Sequence, residues 1–267
     1  MNTGKLTRLN RLFAHPSGRL CAVAVDHFIG YGEGLPRGLR CIRETLAAIV
    51  AARPDAVTLH KGIAASVWAP YAGRVPLILQ STAARPDDSA CEQIATVEEA
   101  VRLGANAFAV TAFLRGPTEA AHLRTVAECV REAARFEIPV ICHAYPRLFN
   151  DGVAHISYAA EDIAWAAHCA AEVGADVVKV PYCGDVSAFA QIVAECPVPL
   201  VVAGGPQTAA PEEALSMMAE VVRSGARGAA LGRNVWGFAQ ITAMVYAFKA
   251  VIHEGKAPEE ALRIAGL

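Results

Sequence analysis

Short, near-continuously apolar runs with β-branched residues recur eight times along this chain, most of them separated by segments rich in alanine and glutamate. They occupy residues 20–26, 56–60, 75–81, 107–112, 139–144, 175–180, 199–203 and 226–231. A strand with one wet face alternates apolar with polar side chains, so near-continuously apolar runs read as strands covered on both faces. The segments at 118–135, 159–172, 186–196 and 211–224 read as helices. A shorter helix near 96–103 follows a polar loop at 85–93. Strand–helix alternation repeated eight times predicts an α/β protein, a single (β/α)8 TIM barrel with parallel strands. A doubly wound open sheet is the alternative, but the eight runs offer it no obvious edge strands.

A weak internal repeat supports the barrel. Val75-Pro76, Ile138-Pro139 and Val198-Pro199 introduce the third, fifth and seventh runs, and Gly104-Ala105, Gly174-Ala175 and Gly225-Ala226 precede the fourth, sixth and eighth. Glycine suits the left-handed residue that ends a helix, and proline suits the first residue of a strand. No Pro/Gly/Ser linker divides the 267 residues, which predicts one domain over 1–267.

Composition excludes several classes. With 54% hydrophobic and 19% charged residues the chain is not disordered. Lys+Arg of 24 against Asp+Glu of 26 gives a net charge of −2, without the basic excess of a nucleic-acid or membrane-surface binder. The first 13 residues carry no apolar core of a signal peptide. Residues 235–252 are the nearest approach to a membrane span, but Gly237, Gln240, Thr242 and Lys249 interrupt them and their bulky apolar residues fall on one helical face. The cysteines at 21, 41, 91, 129, 142, 169, 183 and 196 form no CxxC pair and suggest a reduced, cytoplasmic protein.

In such barrels, chemistry sits where strands run into the loops that follow them. Asp26-His27, His60-Lys61, His143 with Tyr145, and Lys179 stand at those ends. Of the five lysines, only Lys61 and Lys179 approach the predicted mouth. Lys179 interrupts the apolar Val177-Val178-Lys179-Val180, a setting in which an amine serves as nucleophile towards a carbonyl, forming a Schiff base; pairing with a carboxylate at the rim is the structural alternative. Asp26 is placed to accept protons or bind hydroxyls, or else to cap a loop. Tyr145 is placed to relay a proton, or to stand as a rim aromatic. His27, His60 and His143 suggest zinc, although no HxH or HxxxH spacing accompanies them. Glycines at Gly204-Gly205-Pro206 and Gly232-Arg233-Asn234 end the seventh and eighth strands, where barrel enzymes hold phosphate; tight turns alone would also use them.

Residues 174–182 (Gly174 through Lys179 to Tyr182), Gly184-Asp185, residues 201–206 and residues 232–236 resemble the archaeal-type class I fructose-bisphosphate aldolases. The wider group includes deoxyribose-phosphate aldolases and aminodideoxyheptulosonate synthases. Asp26-His27, His60-Lys61-Gly62 and Tyr145-Pro146-Arg147 are similar to that family's earlier motifs, so the resemblance spans all eight runs. It implies a Schiff-base aldolase or transaldolase acting on a phosphorylated ketose or related sugar derivative, without metal or cofactor. Lys179 would be the nucleophile, and Tyr145 and Asp26 would handle protons. His27, Lys61, Arg147, Gly204, Gly205, Gly232 and Arg233 would bind substrate. A cytoplasmic homo-oligomer is implied, with no nucleic-acid or membrane partner. Two departures from the family pattern border the substrate. Phe28 replaces a glycine ahead of the loop Gly30-Tyr31-Gly32-Glu33-Gly34, and Leu148 replaces a glycine after Tyr145-Pro146-Arg147. A flavin-binding barrel oxidoreductase and a metal-dependent aldolase are the rival readings; the first leaves Lys179 unexplained.

Overall fold

Alternate residues of each apolar run face opposite ways, and a closed barrel gives both faces an apolar partner. The computed structural model describes residues 2–31 and 34–267, so Gly32 and Glu33 of the loop after the first strand lie outside the described residues. Helix α1 (Thr3–Leu12) leads into β1 (Leu20–Ala24), α2 (His27–Tyr31), α3 (Ile42–Ala51), β2 (Ala56–His60) and α4 (Lys61–Val67). Next come β3 (Leu77–Gln80), a hairpin of β4 (Thr82–Ala84) and β5 (Cys91–Gln93), α5 (Val97–Arg102), β6 (Ala107–Leu114) and α6 (Glu119–Arg135). The strand β7 (Val140–Asn150) folds back on β8 (Val153–Ile156) before α7 (Ala160–Glu172), β9 (Val177–Val180) and α8 (Val186–Glu195). The chain ends with β10 (Leu200–Ala203), α9 (Pro211–Arg223), β11 (Gly228–Leu231), α10 (Arg233–Trp236), α11 (Ile241–Glu254) and α12 (Pro258–Ala265).

Eight parallel strands close the barrel in the order β1, β2, β3, β6, β7, β9, β10, β11, with β11 returning to β1. No open sheet exists among them, which settles the choice left by the sequence. Outward residues such as Val23, Leu59, Leu79, Val110, Cys142, Val178 and Val202 pack under the helices. Inward residues of the lower layer, among them Ala22, Ala56, Ile78, Ala109, Ile141, Val177, Val201 and Ala230, form a second apolar cluster closed below by Leu12, Leu9 and Phe13. The larger of these side chains, such as Ile78, Ile141, Val177 and Val201, contribute roughly 1.5–3 kcal/mol each by leaving water. The floor of the barrel is therefore sealed, and only the opposite end opens.

Two hairpins extend beyond the expected strands. The fifth run continues to Asn150 because Asp151 and Gly152, at φ 50° and 79°, form a two-residue turn that returns the chain as β8. Positive φ at both positions is what an Asp-Gly pair supplies. The polar loop at 85–93 contributes β5, which pairs with β4 beside the mouth. The 235–252 stretch divides at Gly237, and Met244, Val245, Phe248, Val251 and Ile252 of α11 are buried. Among the described residues no helix is long and apolar enough to cross a membrane.

Candidate active site

The parity that seals the floor also builds the site. Above the lower layer, the inward side chains become polar on β2, β3, β6, β7 and β9: His60 four residues past Ala56, and Gln80, Thr111, His143 and Lys179 two residues past Ile78, Ala109, Ile141 and Val177. On β1 and β10 the corresponding positions are Ala24 and Ala203, and on β11 the small Ala230 of the lower layer itself borders the cavity. Small residues on one side and polar ones on the other leave a cavity of about 1110 Å³, including its open mouth. Asp26, His27, Tyr145, Gly204, Gly205, Gly232 and Arg233 line it as well.

Lys179 is 6% exposed and faces this cavity from β9. The other four lysines are engaged elsewhere. Lys5 pairs with Asp176 at 3.0 Å beside the floor, Lys249 donates to the carbonyls of Ala52 and Arg53, and Lys256 pairs with Glu260. Lys61 departs from the expectation that it binds substrate. It opens α4 just past His60, but its side chain turns outward and donates to Glu99 at 2.7 Å, with both partners about two-fifths exposed. The helix that begins there directs the residue after the strand away from the barrel axis.

Gln80 organises the polar layer, and sequence reasoning passed over it. Its Oε1 accepts from the main-chain N–H of Ser81 at 2.9 Å and of Thr82 at 3.2 Å. Those donors fix the orientation of the amide. Its Nε2 then faces Asp26 Oδ2 at 3.2 Å, Thr111 Oγ1 at 3.1 Å and His143 Nδ1 at 3.2 Å. The one available signal was a polar residue ending the apolar Leu77-Ile78-Leu79. Burial works against ionisation of Asp26, but His27, Lys179, His143 and His60 around it outweigh burial and lower its carboxyl to about 2. Burial lowers His27 to about 4, opposed by Asp26 and reinforced by Lys179. His143, buried next to Lys179, is held well below the ordinary histidine range. The site thus combines a carboxylate with neutral imidazoles.

Tyr145 stacks on Phe113, the ring centres 5.9 Å apart, and lines the cavity from the upper part of β7. Phe113, Ile156 and Tyr158 wall the side formed by β6 and the β7–β8 hairpin. The glycines occupy the other side. Gly205 has φ +72°, a conformation that glycine adopts without strain. A Cβ on Gly204 would press on Leu231 at 3.1 Å, and one on Gly232 would collide with the His27 ring. Asn234 ties the two glycine loops together: its Nδ2 donates to the carbonyls of Gly204 and Pro206, each at 2.8 Å, and its Oδ1 accepts from Thr208 N at 2.9 Å. Helix α10 has a single turn, so backbone amides and Arg233, rather than a long helix dipole, supply the positive character.

Arg147 also departs from expectation. Its side chain is fully buried and does not line the cavity. It donates to Asp88 at 2.8 Å, to the carbonyls of Pro86 and Arg115, and to Thr118 Oγ1. On β7, Tyr145 faces the axis and so does Arg147 by parity, but the strand has by then risen into the hairpin, where the β4–β5 loop meets it. Its guanidinium serves as a strut between loops. His27, His60 and His143 share the cavity, yet no three His, Cys, Asp or Glu among the described residues are grouped to hold a metal ion.

A closed parallel barrel that gathers a buried lysine, a carboxylate and imidazoles at its open end has the site placement of a barrel enzyme. Residues 20–237 match the family model described as DeoC/LacD family aldolase. The chain is 34% identical over 268 residues to the 2-amino-3,7-dideoxy-D-threo-hept-6-ulosonate synthase of Halobacterium salinarum, covering 100% of this chain and 98% of that one. It is 34% identical over 254 residues to the 2-amino-4,5-dihydroxy-6-oxo-7-(phosphonooxy)heptanoate synthase of Streptomyces griseus, covering 92% and 89%. An archaeal fructose 1,6-bisphosphate aldolase superposes with a TM-score of 0.82 at 30% identity, covering 94% of this chain and 100% of that one. A structure of an archaeal fructose-1,6-bisphosphate aldolase whose catalytic lysine is covalently bound to the carbinolamine intermediate gives 0.81 at 29% identity, covering 93% and 99%. The chain belongs to the DeoC/LacD aldolase family and is a carbon–carbon lyase.

Proposed function

We propose that the protein is an aldolase or transaldolase in which Lys179 forms the Schiff base with a phosphorylated ketose or a related amino- or deoxy-sugar derivative. The observation that carries this reading is Lys179, facing the cavity from inside an otherwise apolar strand. The free amine of Lys179 attacks the ketone carbon, and the resulting carbinolamine loses water to give an iminium. That cation draws electrons from the adjacent carbon–carbon bond. Asp26, already ionised, or Tyr145 takes the proton of the neighbouring hydroxyl as the bond breaks. An aldehyde leaves, and an enamine stays on Lys179. Tyr145 passes that same proton on to the enamine carbon, and water hydrolyses the resulting iminium to release the ketone fragment and the free amine.

The phosphate of the ketose sits against Gly204, Gly205, Gly232 and Arg233, with His27 packed beside Gly232. Binding energy from that remote group holds the carbonyl at Lys179. The opposite wall, with Phe113, Ile156 and Tyr158, has no lysine or arginine among its described residues. This supports a ketose with one phosphate over a bisphosphate. The named relatives support the seven-carbon amino-keto acids as candidates for this chain. The same reading includes the cytoplasm and a homo-oligomer, the former supported by eight cysteines that are all free.

The test is cleavage of a panel of ketose phosphates by the wild-type protein and by Lys179→Met. The expected outcome is turnover by the former and a loss of at least a thousandfold in the latter. Normal turnover by Lys179→Met would overturn the assignment.

A further inference from the structure

His143 faces the cavity but takes no part in the steps assigned above to Lys179, Asp26 and Tyr145. It lies on β7 directly opposite Lys179 in the strand pairing, 4% exposed, and lines the cavity. Its ring nitrogens are not equivalent. Nδ1 stands 3.2 Å from Nε2 of Gln80. The Gln80 amide cannot turn over, because its Oε1 receives the main-chain N–H groups of Ser81 and Thr82, which only donate. The atom facing His143 is therefore an NH2 group, and an amide nitrogen does not accept hydrogen bonds. A hydrogen on Nδ1 would oppose the hydrogens of Gln80, whereas a lone pair there accepts one of them. Those two hydrogens are shared among His143 Nδ1, Asp26 Oδ2 and Thr111 Oγ1. In a neutral imidazole the remaining hydrogen then resides on Nε2.

We infer that His143 presents its Nε2–H to the substrate ketone as a hydrogen-bond donor, polarising the carbonyl for attack by Lys179, and that Gln80 is the positioning residue that fixes this tautomer. The inference rests on the Schiff-base reading of Lys179. A neutral imidazole suits the task, since it donates without adding a second positive charge beside the amine. The hydrogen bond strengthens as negative charge gathers on the ketone oxygen during attack, so it favours the transition state over the bound substrate. No proton needs to be transferred by His143 itself. One group of contacts on Gln80 thus serves two ends, aiming the Asp26 carboxylate and setting the His143 ring.

The inference separates adduct formation from the later steps. Rapid quench with borohydride measures how fast the reducible adduct with a ketose phosphate appears. The expected result is at least a tenfold slower appearance in His143→Phe, with partial recovery in His143→Gln, whose side-chain amide again donates. The substrate concentration giving half-maximal rate should change less than the rate itself. In protein labelled with 15N-histidine, the His143 signals, assigned by their absence from His143→Gln, should report hydrogen on Nε2 and none on Nδ1 between pH 6.5 and 8. An Nδ1–H tautomer would overturn the inference, as would equal rates of adduct formation in wild type and a folded His143→Phe. If the wild-type protein forms no reducible adduct at all, the Schiff-base reading of Lys179 fails, and the NMR result still tests the role of Gln80.

Discussion

Lys179 and Lys61 illustrate what a residue's neighbours in sequence disclose. An amine inside an apolar strand must face the barrel interior or the helices, and the interior at a strand end is the mouth; Lys179 was legible for that reason. Lys61 occupies an equally suggestive place after β2, but its direction depends on the turn into α4 and on Glu99, 38 residues away, which periodicity does not reveal. Gln80 escaped a role and His143 was read only as a possible zinc ligand, because their meaning lies in each other's orientation. Tyr145 has a cleaner expectation. Tyr145→Phe keeps the ring stacked on Phe113 while removing the phenol. Turnover should fall by about 10²–10⁴-fold, the usual range for a lost proton relay. Borohydride should still capture the adduct. Undiminished turnover in steady-state assays would remove Tyr145 from the proton path.

At the scale of elements, the eight strands and most of the helices follow from apolar runs and from their Pro and Gly borders. Residues 56–60 form β2 as expected, and the segment at 159–172 forms α7 with its first residue as the cap. The hairpins were less legible, although Asp151-Gly152 is a recognisable turn pair, because beyond Arg147 their apolar residues Leu148, Phe149 and Val153 are exposed and do not belong to a run covered on both faces. Arg147 itself reads as a ligand for an anion in sequence and acts as a strut in the fold. It joins β7 to the β4–β5 loop through Asp88, which also accepts from His122 at 3.1 Å. Asp88 is about a quarter exposed, so losing its pair with the buried Arg147 should cost about 1.5–3 kcal/mol, the worth of a hydrogen bond to a charged group. Arg147→Met should lower the melting temperature accordingly, and Arg147→Lys should recover little, since one ammonium cannot replace the forked guanidinium. Thermal unfolding measures both. An unchanged melting temperature with weakened substrate binding would instead make Arg147 a substrate ligand.

Inside the barrel, ionisable groups gather at the open end above an apolar lower layer, and their burial gives the stability a direction in pH. His27 and His143 are lowered in the fold from 6.5, mainly by burial, His27 to about 4. Between those values the unfolded chain binds protons that the folded protein refuses, so stability is complete above pH 6.5 and declines as pH falls towards 4. Asp26, lowered from 3.8 to about 2, extends the decline in the same direction at lower pH. Melting temperature should be level from pH 8 to 7 and drop steadily from 6.5 to 4, with a shallower drop in His27→Gln. A flat profile to pH 4.5 would contradict these environments. The measurement closest to the central claim is peptide mapping after borohydride reduction in the presence of a ketose phosphate. The account predicts one modified residue, Lys179, within the peptide that contains β9, and no modification in Lys179→Met. Modification at Lys61, or an adduct that survives in Lys179→Met, would contradict it.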